Sequence, residues 1–226
     1  MDMNETVKGY LKAAENGDSE AQNKLGVCYI KGEGVAVDKE EAVKLFGLAA
    51  NQGLAVAQHN LGLCYACGYG VETRDRDKAV EWYRKAAEQG LAAAQTRLGA
   101  CYHNKWGVDR NMTESVKFII LAANQAYAEA QYYLAMCYTT GEGVHQDEFE
   151  SVKWHLKAAE QDYGPAQYAL GRHYESGWGV VKDEEESMRW FKLAEKQGIS
   201  RDALIDRRPP HAPWSRTDAI QKCWCA

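Results

Sequence analysis

Ala21-Gln22-Asn23-Lys24-Leu25-Gly26-Val27-Cys28-Tyr29-Ile30-Lys31-Gly32-Glu33-Gly34-Val35 is the stretch that decides the fold, because the chain repeats its pattern five times. Its Ala-Gln pair returns at Ala57-Gln58, Ala94-Gln95, Ala130-Gln131 and Ala166-Gln167, at spacings of 36, 37, 36 and 36 residues. A period of that length marks a solenoid, one small unit stacked on copies of itself. Four residues after each Ala comes Leu, followed by Gly26, Gly62, Gly99 and Gly171 and, in the fourth copy, Ala135. Four further on stands Tyr29, Tyr65, Tyr102, Tyr138 or Tyr174. Ala, Leu and Tyr at i, i+4 and i+8 share one helical face. Mid-helix glycine costs about 1 kcal/mol relative to alanine, so its presence in four copies predicts a close approach by a neighbouring helix.

Working outward, a Gly-x-Gly-Val turn follows at Gly32–Val35, Gly68–Val71, Gly141–Val144 and Gly177–Val180. Glycine accepts the positive φ that ends a helix and reverses the chain. The third copy has Lys105-Trp106 there, so Lys105 must take a left-handed backbone or the turn must change. An N-cap comes next (Asp38, Asp75, Asn111, Asp147, Asp183), with Glu41, Glu114, Glu150 and Glu186 three residues later in a capping-box-like pattern. The second copy has Lys78 instead, and one extra residue before Asp75 accounts for the 37-residue spacing. A second helix reads Ala42-Val43…Phe46…Ala49-Ala50, then Ala79-Val80…Tyr83…Ala86-Ala87, then Ser151-Val152…His155…Ala158-Ala159. It closes on a linker such as Gln52-Gly53, Gln89-Gly90 or Gln197-Gly198. Each unit is therefore helix A, glycine turn, helix B and linker. Residues 1–18 form a half-repeat, a lone helix B that caps the first pair. Five pairs follow at about 19–54, 55–91, 92–127, 128–163 and 164–198, and residues 199–226 form a cap or tail. Eleven main helices are expected.

The combined columns resemble the Sel1-like repeat family, relatives of the tetratricopeptide repeats, over roughly residues 6–198. The resemblance implies an all-α, right-handed α/α superhelical solenoid that serves as a protein–protein adaptor or scaffold, with no cofactor. One specific version is a dedicated inhibitor or immunity-type protein that occludes a toxin or enzyme. From another class, the resemblance also brings a β-lactamase-like hydrolase, but the Ser-x-x-Lys nucleophile motif is missing from the sequence. The phosphate or carboxylate clamps of tetratricopeptide repeats have no visible equivalent.

Net charge −5 and a pI near 5.7 exclude the basic footprint of a nucleic-acid binder. No apolar run approaches the ~20 residues that span a bilayer, and Met1–Glu5 lacks the basic and apolar regions of a signal peptide; the expected location is the cytoplasm. Four of seven cysteines form a column, Cys28, Cys64, Cys101 and Cys137, with His173 in the fifth copy. Helix axes about 9–10 Å apart put these thiols beyond disulfide reach, so they read as small buried packing groups. Cys223-Trp224-Cys225, with His211 nearby, is too few ligands for zinc. The six histidines are dispersed, His-Glu-x-x-His does not occur, and the Gly-x-Gly motif recurs as a helix–helix turn rather than a phosphate loop. No metal site and no enzyme activity are expected.

Fifteen helix A positions vary between copies while the columns above repeat: Asn23, Val27, Ile30; His59, Leu63, Ala66; Thr96, Ala100, His103; Tyr132, Met136, Thr139; Tyr168, Arg172, Glu175. On the wheel they lie opposite Ala21, Leu25, Cys28 and Tyr29, and helix A lines the concave side of such a stack. They are the candidate surface for a protein or peptide, strongest at the C-terminal end where Tyr, Met and Arg gather. The competing reading is ordinary helix surface, or surface covered by the chain's own tail. A second candidate is the turn-edge aromatics Tyr69, Trp106 and Trp178, which otherwise lie over their neighbours' loops. Ile199–Asp206 could add one short helix before the Arg207–Pro213 breaker, with Trp214 and Ile220 packing on the fifth pair or serving as a linear motif. Monomer and weak dimer are both open.

Overall fold

The structure, a computed structural model, describes residues 4–199. Expectations for the tail, including Trp214, Ile220 and Cys223-Trp224-Cys225, fall outside the described residues. Those residues are helical and turn, with no strand among them. Eleven helices run α1 (Glu5–Glu15), α2 (Ser19–Lys31), α3 (Lys39–Asn51), α4 (Ala55–Cys67), α5 (Arg76–Glu88), α6 (Ala92–Asn104), α7 (Met112–Asn124), α8 (Ala128–Thr140), α9 (Glu148–Ala159), α10 (Gly164–Ser176) and α11 (Glu184–Lys196). This is the all-α repeat solenoid that the period predicts. The helices fall into two compact units, α1–α6 and α7–α11. Within each, every helix packs on the next along the chain.

The Ala-Gln signature has a specific physical cause. In the first unit, Gln22 and Gln58 are buried, and each donates from Nε2 to a carbonyl in the last turn of the preceding helix B, Ala14 at 3.2 Å and Ala50 at 3.2 Å. Their own Oε1 atoms accept from the linker glutamines, Gln52 at 2.8 Å and Gln89 at 2.8 Å. The second unit repeats the ladder: Gln131 and Gln167 reach Ala123 and Ala159, and accept from Gln161 and Gln197. Helix C-termini leave carbonyls without intrahelical partners. Here each such carbonyl accepts the linker amide three residues on, from Gly17, Gly53, Ala126 or Asp162, and the glutamine column adds a second, buried hydrogen bond that ties the next helix A to it. Sequence reading treated Ala-Gln as a marker and missed this work.

The glycine after Leu admits a ring from helix B rather than a bare backbone. A Cβ at Gly26 would lie 2.7 Å from the Phe46 ring, at Gly62 2.7 Å from Tyr83, and at Gly171 2.6 Å from Phe191. In the fourth copy both members change together: Ala135 replaces glycine and His155, with a smaller ring, replaces the larger aromatic.

The turns form as expected. Gly32, Gly68, Gly141 and Gly177 end their helices at φ 74–76°. Lys105 takes the same left-handed conformation, φ 56° and ψ 46°, so the third turn keeps its geometry at a cost in backbone strain. Ala126 and Asp162 do likewise at φ 60° and 57°, where other linkers have Gly53 or Gly90. Asp38, Asp75, Asn111, Asp147 and Asp183 all cap helix N-termini through a side-chain oxygen. The capping box is only half realised. Glu41, Glu114, Glu150 and Glu186 do not reach back to the cap but pair with Lys44, Lys117, Lys153 and Arg189 three residues on.

Candidate partner-binding faces

The helix wheel overstates how much of helix A is open. It assumes one buried face, whereas a helix inside a stack is covered from two sides. Leu63, Thr96, Ala100 and Met136 are buried and do not present themselves to a partner. Val27 and Ile30 are half-buried against the cluster of Ala57, Leu61 and Cys64. Asn23 accepts a hydrogen bond from Asn60 at 2.9 Å. Tyr29, placed on the buried face, is half-buried.

His59 is shielded as well. Burial, with Arg97 adding to it, pushes its pKa down to about 4, against a weaker opposing bond from Asn60. Tyr132 packs with Tyr133, His155 and Tyr163, each ring centroid 5.6 Å away. Tyr168 packs on Phe191 at 5.3 Å. Both tyrosines stay half-exposed, so their outer edges are accessible while their inner faces hold the fold. Thr139 is half-buried and donates to the Ala135 carbonyl. Half-exposed Ala66 and His103 and exposed Arg172 remain from the set, with half-buried Glu175 paired to Arg172 at 3.3 Å.

The turn-edge aromatics divide. Tyr69 carries the Lys39 ammonium 4.7 Å from its ring centroid, and Trp106 carries the Arg76 guanidinium at 5.7 Å. Both lie over the start of the preceding helix B, so a packing role is present for each. The residue at that place in the second unit is Glu148 rather than a cation, and Trp178 is 53% exposed.

Two features escaped the sequence. In the first unit, α4, α5 and α6 enclose a pocket lined by Leu63, Ala66, Tyr83, Ala100 and Trp106 together with Arg74, Arg76 and Arg97. In the second unit a polar chain fills the space of the absent ring: Thr139 Oγ1 lies 2.7 Å from Ser151 Oγ, which lies 3.3 Å from His155 Nδ1. Because Thr139 gives its hydroxyl proton to Ala135, Ser151 donates to Thr139 and His155 Nδ1–H donates to Ser151. His155 Nε2 is buried without a hydrogen-bond partner. The His173 ring lies 5.2 Å away, its Nδ1–H donating to the Trp178 carbonyl at 2.8 Å. Burial, with His173 alongside, holds His155 well below the usual imidazole range. His173 is lowered by burial too, against the carbonyl bond and the Glu148 charge.

The cysteine column is buried. Desolvation pushes Cys64, Cys101 and Cys137 up to about 12, so they stay as thiols and pack as small apolar groups. Among the described residues no group of three or more His, Cys, Asp or Glu is placed to hold a metal ion. No described helix is long and apolar enough to cross a membrane.

The family model for the Sel1 repeat matches residues 19–54, 55–91, 92–127, 128–163 and 164–199. The chain belongs to the Sel1 repeat family. A Sel1 repeat protein from Oxalobacter formigenes is 35% identical, with a TM-score of 0.76 over 80% of this chain and 72% of the other. A protective antigen with this repeat fold, present in uropathogenic Escherichia coli strains, is 38% identical with a TM-score of 0.75. That alignment covers 93% of this chain but only 46% of the antigen, so the Sel1 repeats here span under half its length. An immunity protein from Pseudomonas aeruginosa shares the fold at 23% identity and a TM-score of 0.61, over 91% and 80% of the two chains. No match was found among curated proteins.

Proposed function

We propose that this Sel1 repeat protein is a non-catalytic adaptor that binds another protein or peptide through the helix A surface that remains open in each unit. One observation carries the reading. The packing, capping and turning columns are alike from copy to copy, whereas the helix A columns Ile30, Ala66, His103, Thr139, Glu175 and Val27, Leu63, Ala100, Met136, Arg172 each change chemistry between copies. Variation counts only where the side chain is also exposed, as at Arg172, because Leu63, Ala100 and Met136 vary within one column and are all buried. Binding surfaces of repeat proteins are built from such positions. The immunity role in the Pseudomonas neighbour's name belongs to that protein; for this chain an immunity-type inhibitor is one version of the same binding proposal. The cytoplasm fits the acidic composition and the buried thiols.

The test uses a charged pair on the α10 surface. Arg172 and Glu175 form a partly exposed ion pair, and such pairs contribute 0–1 kcal/mol. The double variant Arg172→Glu/Glu175→Lys should keep its Tm within a few degrees and lose at least about ten-fold in affinity for a protein captured from the native host. Unchanged affinity removes the α10 surface from the proposal. Turnover of nitrocefin by the purified chain would overturn the non-catalytic reading.

A further inference from the structure

The last described helix B, α11, keeps open the side that earlier helices B turn to the following helix pair. Three columns define that side. At the first, the Lys39 carbonyl of α3 lies against Gly70 of the next turn, and the Glu148 carbonyl of α9 lies likewise against Gly179. At the second, one turn on, Val116 Cγ2 of α7 lies against Gly143, and Val152 of α9 packs in one cluster with Ala166 and Leu170 of α10. At the third, another turn on, Arg84 of α5 donates to the Tyr102 hydroxyl of α6 at 3.2 Å. The matching residues of α11 are Glu184, Met188 and Lys192. Val80, Val116 and Val152 are 4%, 4% and 9% exposed, whereas Met188 is 57% exposed.

The sequence after α11 does not carry the pattern that covers this side in earlier copies. Four and eight residues after Gly53 stand Ala57 and Leu61, and the same places after Gly90 hold Ala94 and Leu98, all buried. Four and eight residues after Gly198 stand Asp202 and Asp206. A carboxylate is costly in a buried apolar place, so the columns of a covering helix A are lost there.

The open side is instead complementary to itself. Glu184, Met188 and Lys192 are four residues apart and form one stripe along α11. Glu184 is 81% exposed and pairs with exposed Lys182 at 3.4 Å, a contact worth 0–1 kcal/mol. Lys192 is exposed and has no ion partner among the described residues. A two-fold axis through Met188 lays a second α11 antiparallel on the first. Met188 then meets the partner's Met188, a flexible thioether on its like. Glu184 meets the partner's Lys192, and the symmetry makes that contact twice.

We propose that α11 is a self-association surface, on which a second copy of this chain seats its own α11 antiparallel through Glu184, Met188 and Lys192. One helix face is small against the 1,200–2,000 Å² of a stable interface, so the dimer should be weak, with a Kd on the order of 10–100 μM. The inference stands apart from the adaptor reading and does not depend on it.

Sedimentation equilibrium of the full chain, kept reduced, over about 2–500 μM tests it. The weight-average mass should climb from 25.3 kDa toward twice that value. Met188→Glu should raise Kd at least about ten-fold. Glu184→Lys and Lys192→Glu should each raise it at least about three-fold, because like charges then face each other across the axis. The double variant Glu184→Lys/Lys192→Glu should return Kd to within about two-fold of the original, since both pairs are restored. All three side chains are exposed, so circular dichroism should show full helix content, and Met188→Gln replaces Met188→Glu if that variant loses it. Oxidation of Met188 by dilute hydrogen peroxide, mapped by mass spectrometry, should be fast in dilute protein and slow in concentrated protein. A mass of 25.3 kDa throughout, a dimer that survives loss of Met188, or single and double charge variants that weaken it alike overturns the proposal. Met188 shielded from peroxide at every concentration shows that the chain covers α11 itself, and overturns it too.

Discussion

The pairs α4–α5 and α8–α9 occupy the same place in the repeat and solve one packing problem in opposite ways. In α4–α5 the helix A residue is Gly62 and the Tyr83 ring lies where its side chain would be. In α8–α9 it is Ala135, and His155 fills the reduced space with a hydrogen-bond chain through Ser151 and Thr139. A column of the repeat is thus a shared volume rather than a fixed residue. When one partner grows, the other shrinks. The second solution puts an imidazole with an unpartnered nitrogen in the column itself, whereas in α4–α5 the imidazole, His59, lies beside the Tyr83 ring at 5.8 Å.

The largest expected effect breaks that exchange in one step. Gly62→Ala should destabilise the protein by about 2 kcal/mol, because a crowded core position costs 1–3 kcal/mol. Adding Tyr83→His should recover about half, as the α8–α9 pair predicts. Denaturant unfolding of the single and double variants measures the coupling, and additive losses would show that the two residues do not share a volume. Next comes Gln58→Leu, expected to cost about 1.5 kcal/mol because the Ala50 carbonyl and the Gln89 amide each lose a partner. Gln167→Leu in the second unit should cost about the same, since its ladder is the same. A large difference between the two would break the equivalence of the units at this column.

Acid should weaken both pairs, through His59 on α4 and His155 on α9. His59, His155 and His173 all have folded-state values below the ordinary 6.5. Their contribution is fully present above about pH 6.5, the unfolded value, and is lost as pH falls toward the folded values. His59, held at about 4 in the folded state, removes about 1 kcal/mol between pH 6.5 and 5.5, and His155 and His173 add to the fall. Calorimetric Tm at pH 7.5 and 5.5 should show the fall, and Ala135→Gly/His155→Phe should fold and lessen it. The smallest effect concerns backbone. Ala126→Gly should stabilise by about 0.5–1 kcal/mol by relieving a left-handed alanine, read as a rise of a few degrees in Tm.

Period, turns and caps were legible because each depends on local chemistry: glycine for positive φ, Asp or Asn for the first-turn amides. The left-handed Lys105 was among the readable alternatives, since the neighbouring glycines force that geometry. The openness of helix A was not. Thr96 and Leu63 look variable in sequence, yet both are buried, because a wheel drawn for one helix omits the second neighbour. The arginine pocket was missed for a related reason. Arg74, Arg76 and Arg97 occupy three different columns, and only the packing of α4, α5 and α6 brings them together. The extra residue that lengthens the second copy falls between Val71 and Asp75, the stretch that holds Arg74, which marks a local departure but not its chemistry.

The central claim is that the repeated columns hold the fold while the unrepeated helix A residues bind. Affinity and Tm measured side by side, against a partner captured from the native host, test it most directly. Arg172→Glu/Glu175→Lys should lower affinity at least about ten-fold with Tm nearly unchanged, while Gln167→Leu should lower Tm by several degrees with affinity nearly unchanged at a temperature where it is folded. Full affinity in the charge variant, or equal loss of affinity in the glutamine variant, would contradict the account.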